Sequence, residues 1–209
     1  QATLRAERPR ARHLTTMGCT FNPSNGFMTK SAREHWMERH GKSASDIDQS
    51  LTANPDPSTP LYFWQLYSLL GESRIEDIVR CFYTRVYADE EEHWLRDAFS
   101  QLRSMEHHID TQSAFWVDCF GGGRQYQGAE YRLAIHHSGV QAVMNAQGAK
   151  RWMHHMALTL NEDVDFGADD PRVKPCIVDF LETRMRKYAH AHDWDFDPET
   201  FDSLRPRSG

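Results

Sequence analysis

Two histidines stand side by side at His136 and His137, beyond a run of three glycines, Gly121 to Gly123. A neutral imidazole is a firm metal ligand, so the residues that face this pair decide what chemistry it could do. Before the glycines, Ile109, Gln112, Phe115, Trp116, Cys119 and Phe120 recur at three- and four-residue steps, which puts them on one face of a helix. Glycine alone takes positive φ without strain, so the triplet stops that helix abruptly. A shorter helical pattern starts near Ala129 and ends in the histidine pair. An aromatic face carrying one glutamine is thus turned back toward paired imidazoles. A planar cofactor with a metal at its centre could sit between two such helices.

The elements that must hold this arrangement are helices. Leu61 to Leu70 is apolar nearly all round and predicts a buried helix that Gly71 ends. Ser73 can cap the next helix, with Glu76 as its capping-box partner. Ile75, Ile78, Val79, Phe82 and Val86 form its inward stripe, with Tyr83 at the edge. The acidic cluster Asp89 to Glu92 favours the start of a short helix ending near Phe99. Ala146 to Leu160 predicts a helix burying Trp152, Met156 and Leu160. Pro171 can open a final helix to about His192, with Cys176, Ile177, Phe180, Leu181 and Met185 inward. No alternating strand pattern appears, and the class is all-α.

Composition narrows the function. Lys and Arg number 24 against 30 Asp and Glu, for a net charge of -6, which argues against a nucleic-acid partner. No apolar run reaches the length of a membrane span. Cys19, Cys81, Cys119 and Cys176 are too far apart for a thiolate zinc site and read as reduced thiols. No carboxylate-flanked histidine spacing of the metalloprotease kind occurs. Neighbouring residues on a helix point about a hundred degrees apart, so each adjacent histidine pair offers one inward ring at most. His154 and His155 read as solvated, and His190 and His192 as surface residues.

The chain divides at the stretch Asn54 to Pro60, which cannot continue a helix. Residues 1–57 form an N-terminal extension, 58–192 the helical domain and 193–209 an acidic, proline-interrupted tail. The extension holds one helix candidate, Ser31 to His40, with Ser31 as cap. It is short of core residues and is expected to lie over the domain or a partner. Its first eighteen residues carry four arginines and one glutamate. That composition resembles the surroundings of an organellar transit-peptide cleavage site, with the mitochondrion favoured over the cytoplasm.

Taken in order, several pieces resemble the truncated haemoglobins, the two-on-two globins, over roughly Leu61 to Ala191. They are FYTRVYADEEE from Phe82, the phenylalanine of DAFSQ at Phe99, QSAFW followed by the glycines and Tyr126, and KRWMHHM around Trp152. The second group of that family, which includes plant forms, is the nearest in flavour. The resemblance implies haem b as cofactor and dioxygen or another diatomic molecule as ligand. It implies a distal hydroxyl from Tyr83, stacking on the haem edge by Phe99, distal polar positions at His108 and Gln112, and a tryptophan beside the pocket at Trp152. Phe115, Trp116 and Tyr126 complete the cofactor-binding set. The proximal ligand it implies is His137, four residues after Leu133, with His136 as the alternative.

A Tyr hydroxyl, a Gln amide and an imidazole N–H in a dry pocket would each donate to a partly negative ligand, contributing on the order of 1 kcal/mol or more. The same set could polarise peroxide or support oxidation of nitric oxide. The chain also departs from the family: Ser138-Gly139-Val140 stands where a Pro-Phe pair follows the proximal histidine. A second reading follows from that departure and from the long extension. In it the chain keeps the globin fold without haem, as an accessory subunit of an organellar complex docked through its N-terminal segment.

Overall fold

The computed structural model describes residues 26–126, 141–166 and 169–204. Among these the secondary structure is helical: α1 (Phe27–His40), α2 (Leu66–Tyr87), α3 (Trp94–Leu102), α4 (Met105–Cys119), α5 (Ala146–Leu158) and α6 (Val173–Ala191). Short helical turns at Phe63–Gln65, Gln141–Val143, Thr159–Asp163 and Pro198–Leu204 complete the set. The class is all-α, as expected. No helix among the described residues is long and apolar enough to cross a membrane.

The central pair is α2 against α4. On α2 the stripe Ile75, Ile78, Val79, Phe82 and Val86 is buried together with Tyr83. Burying such a side chain is worth about 1.5–3 kcal/mol each, which is what fixes the rotation of the helix. Gly71, at φ 67° and ψ 177°, breaks α2 where the sequence placed a stop. The stretch before it differs from expectation. Only Phe63 to Leu66 is buried, as a tight turn running into the helix, and Leu69 is exposed.

Helix α4 opens on Ser104, whose side chain accepts from the His107 N–H. It closes on the first two glycines. The Gly122 N–H donates to the Val117 carbonyl at 2.8 Å and the Gly121 N–H to the Asp118 carbonyl at 3.3 Å. That pair of bonds is a Schellman stop, with Gly121 at φ 93° in the left-handed position. In α6, Pro175 sits in the first turn, where its missing N–H costs nothing. Cys176, Ile177, Phe180, Leu181 and Met185 are all buried.

Helix α1 starts four residues before the expected Ser31 and lies across α4 and α6. Its first turn meets buried Asp118: the Thr29 N–H donates to Asp118 Oδ1 at 3.4 Å, and the Thr29 hydroxyl donates to the Asp118 carbonyl. A carboxylate on another helix thus serves the orphan donors that a local serine would have capped. The last turns of α1 converge on Asp179 of α6, which accepts from Trp36 Nε1 at 2.5 Å and from Arg39 Nη1 at 2.7 Å. Asp179→Ala should therefore lower stability by about 1–2 kcal/mol and expose α1 to proteolysis. Unchanged resistance in a limited digest would show that apolar contacts alone hold α1.

The C-terminal turn packs back on α5 and α6 through buried Phe201 and Leu204. Cys119 and Cys176 are buried and Cys81 is half-buried.

Candidate functional site

A cavity of about 110 Å³ opens where α2, α3, α4, α5 and α6 meet. One water needs roughly 10–15 Å³ of such space, so the gap is far more than a packing flaw. Helix α2 contributes Tyr83, α3 contributes Leu95 and Phe99, α4 contributes Gln112, Phe115 and Trp116, and α5 contributes Trp152. The opposite wall is α6, with Phe180, Leu181, Arg184 and Tyr188, and Trp194 just beyond it.

Periodicity explains how α4 and α6 reach the gap. Gln112, Phe115 and Trp116 sit at steps of three and one, on the buried side of a helix whose other end is stopped by the glycines. Phe180, Leu181, Arg184 and Tyr188 follow one another at helical steps on α6. Arg184 was not singled out from the sequence, because arginine ordinarily marks a solvated face. Its signal was position: it stands four residues after Phe180 on the apolar stripe. It is 3% exposed. Its guanidinium lies over Phe115 at 5.3 Å and over Tyr188 at 5.2 Å, and Nη2 donates to the Tyr188 hydroxyl at 3.2 Å.

Tyr83 is buried in the wall, and burial pushes its hydroxyl well above the ordinary tyrosine range. The hydroxyl therefore stays protonated near neutral pH and keeps its proton to donate. Phe99 meets Tyr83 edge-on, with ring centroids 6.0 Å apart.

His108 and Tyr126 stand elsewhere. His108 is not part of the cavity lining. It packs behind the wall, its ring stacked on Tyr83 at 5.6 Å, and its Nε2 bonds the Phe99 carbonyl at 3.0 Å. Burial lowers its pKa, so the neutral ring, donating from Nε2, is favoured. His108 thus holds two wall residues in place. Tyr126 is buried edge-on against Phe115, with centroids 5.5 Å apart, also behind the lining. His136 and His137 lie outside the described residues.

A charged cluster missed in the sequence braces the cavity from outside. Asp89, in the turn ahead of α3, accepts from Arg151 Nη2 at 2.6 Å and from Arg151 Nε at 2.8 Å. It also bonds His155 Nε2 at 2.9 Å and accepts the N–H groups of Glu91 and Glu92 at 3.2 Å each. These bonds, with Arg151 first, hold its carboxyl far below the usual range. His155, expected in solvent, is buried here, whereas His154 is exposed. The cluster ties α5, which carries Trp152, to the segment that positions Leu95 and Phe99.

The lining suits a flat apolar body. Aromatic rings enclose it, no Asp or Glu occurs among its described residues, and its polar atoms include the donors of Tyr83, Gln112, Trp152 and Arg184. On that chemistry the residues present fit a porphyrin.

A family model for the bacterial-like globins matches residues 65–187. The chain is 34% identical over 125 residues to two-on-two hemoglobin-3 of Arabidopsis thaliana, an alignment covering 60% of this chain and 67% of that one. No solved structure matches.

Proposed function

The chain belongs to the bacterial-like globins, the truncated haemoglobins, and on that premise we propose that it binds haem b in this cavity and holds a diatomic ligand, dioxygen first, beside Tyr83. The observation that carries the reading is the cavity itself, left open by five helices and lined by aromatic rings with the hydrogen-bond donors of Tyr83, Gln112, Trp152 and Arg184 among them. Phe99, Phe115 and Trp116 would enclose the macrocycle, and His137, or His136, would supply an imidazole to hold its metal. Haem, when bound, supplies a metal centre that takes a diatomic ligand.

What this chain's own residues do follows from their chemistry. Tyr83 keeps its proton because its surroundings disfavour the phenolate, so it donates to any partly negative ligand that comes within reach. Gln112 and Trp152 line the same cavity and offer further N–H donors. The rings around them make a local surrounding of low polarity, which strengthens each such bond. His108 serves indirectly, by fixing Tyr83 and Phe99. The same donors suit polarisation of peroxide or oxidation of nitric oxide.

Purified chain offered hemin should develop a strong Soret band. A chain that stays colourless overturns the reading and leaves the accessory-subunit alternative. With haem in place, Tyr83→Phe removes one donor and no bulk. Loss of a bond worth about 1–2 kcal/mol should speed ligand dissociation roughly 5- to 30-fold. Stopped-flow displacement of dioxygen measures this directly, and an unchanged rate would remove Tyr83 from the ligand's surroundings.

A further inference from the structure

Beyond α6 the chain alternates acid and ring: Asp193, Trp194, Asp195, Phe196, Asp197. An extended run turns successive side chains to opposite sides. Here the three aspartates are exposed, while Trp194 and Phe196 are half-buried. The far end of this run is anchored. Phe196 stacks on Phe201 with ring centroids 5.9 Å apart, and the Arg186 guanidinium of α6 lies over Phe196 at 4.1 Å. Phe201 and Leu204 are buried against α5 and α6. Residues 193–204 thus form a strap across the two helices that carry Trp152 and Phe180 into the cavity.

The near end is held differently. Asp193, where the strap leaves α6, has a φ of 56°, and among the described residues no other non-glycine residue has a positive φ. An L side chain is strained there. Strain of this kind gathers at ligand clamps and moving segments. The next residue adds a second, independent cost. The Trp194 indole N–H is buried with no hydrogen-bond partner. Opening would relax the first and give the second to water, so both features favour release of this end. The indole also stands at a boundary. Trp194, Ala149 and Met185 line the main cavity and also a second space of about 20 Å³. That second space reaches the surface beside exposed Ala146, Asp195 and Asp197.

We propose that residues 193–204 are a gate, with Asp193 as its hinge and Trp194 as the plug between the two spaces. When the indole swings out, the spaces join and a flat apolar ligand passes from the surface to the cavity. The proposal rests on the reading of this cavity as a ligand site.

The probe is 1-aminoanthracene, a neutral flat fluorophore that needs no metal ligand, mixed with the full chain in a stopped-flow instrument. Trp194→Ala removes the plug and should speed both entry and release by about ten-fold or more. Asp193→Gly relieves the hinge in the closed state alone. It should slow entry and release alike by about three- to five-fold and leave the affinity unchanged. Hydrogen exchange supplies a reading without any ligand. The Trp194 amide, which donates to the Ala189 carbonyl at 3.0 Å, should exchange well before the amides of buried α6, and Asp193→Gly should slow it by the same factor. The hinge variant keeps the test decisive if Trp194→Ala fails to fold.

If neither substitution changes the rates, or if the Trp194 amide exchanges only with global unfolding, the gate is overturned. A Soret band with hemin would then still uphold the haem reading. If the probe's rates follow the strap as stated but hemin gives no Soret band, the gate stands and the haem reading falls. A wild-type chain that takes up no 1-aminoanthracene overturns the gate as well.

Discussion

Gly121→Ala should lower stability by about 3–5 kcal/mol, a large share of the roughly 5–15 kcal/mol that holds a typical domain together. Two effects add at this residue. Its φ of 93° lies where an L side chain is strained, which costs about 1–2 kcal/mol alone. A Cβ there would also stand 2.1 Å from the Trp64 carbonyl oxygen, which is backbone and cannot swing aside. Relief would require α4 to separate from the turn that leads into α2, where the Tyr67 N–H donates to the Phe120 carbonyl at 3.1 Å. Gly41 supplies the control. Its φ of 59° is also left-handed, but a Cβ there meets nothing within 4 Å. Gly41→Ala should therefore cost only the strain, about 1–2 kcal/mol. Urea denaturation of both variants measures the difference, and equal midpoints would show that the close approach to Trp64 carries no weight.

The contrast between those glycines shows what a sequence can convey. Three glycines after an amphipathic run announce a stop, because the reason is local: one residue must take positive φ. They do not announce Trp64, nearly sixty residues earlier in the chain, against which the stop is pressed. The same division runs through the molecule. The inward stripes of α2 and α6 were legible because burial follows the helical period, and so was the break at Gly71. The start of α1 was not, since its orphan donors are met by Asp118 on α4 and not by the serine a local rule selects.

The site divides likewise. Tyr83, Phe99, Gln112, Phe115, Trp116 and Trp152 were identified through the family resemblance, and the structure brings all of them to one cavity. His108 stands one turn before Gln112, and spacing alone would send both into the same space. The Phe99 carbonyl, nine residues back, turns the imidazole behind the wall instead. Arg184 was passed over because residue type and residue position disagreed. Two aromatic faces and a hydroxyl resolve the disagreement in favour of position, and all of that belongs to tertiary structure.

His155 is the sharpest case, and it leads to the second large effect. An adjacent histidine pair near a helix end reads as solvated until a buried partner is found, and the partner is 66 residues away. Asp89→Asn should cost about 3–5 kcal/mol, the loss expected when one member of a buried charged cluster is neutralised and the others stay. The Asp89 side chain is 4% exposed and that of Arg151 is 13% exposed, so solvent screens the pair little. In the variant the guanidinium keeps its charge, loses the carboxylate's charge and keeps at most one of its two short bonds to oxygen, because an asparagine amide offers one acceptor oxygen where the carboxylate offered two. Replacing the pair together, as Asp89→Asn with Arg151→Met, should then cost less than the two single changes summed, because no cation is left stranded.

The pH dependence has a definite sign. The folded Asp89 carboxyl titrates far below its unfolded value, so its contribution is complete above about pH 4 and disappears as the pH falls beneath that. His155 acts earlier. Burial outweighs the pull of Asp89 and sets its folded pKa below the ordinary 6.5. The unfolded chain therefore binds that proton first, and stability begins to fall as the pH drops through about 6.5. Burial shifts His108 the same way. Denaturant midpoints measured from pH 8 to pH 3 should decline in two stages in the wild-type chain. In Asp89→Asn the stage below pH 4 should be much reduced, and a full acid stage in that variant would mean that other carboxylates, not Asp89, hold the walls of the cavity together in acid.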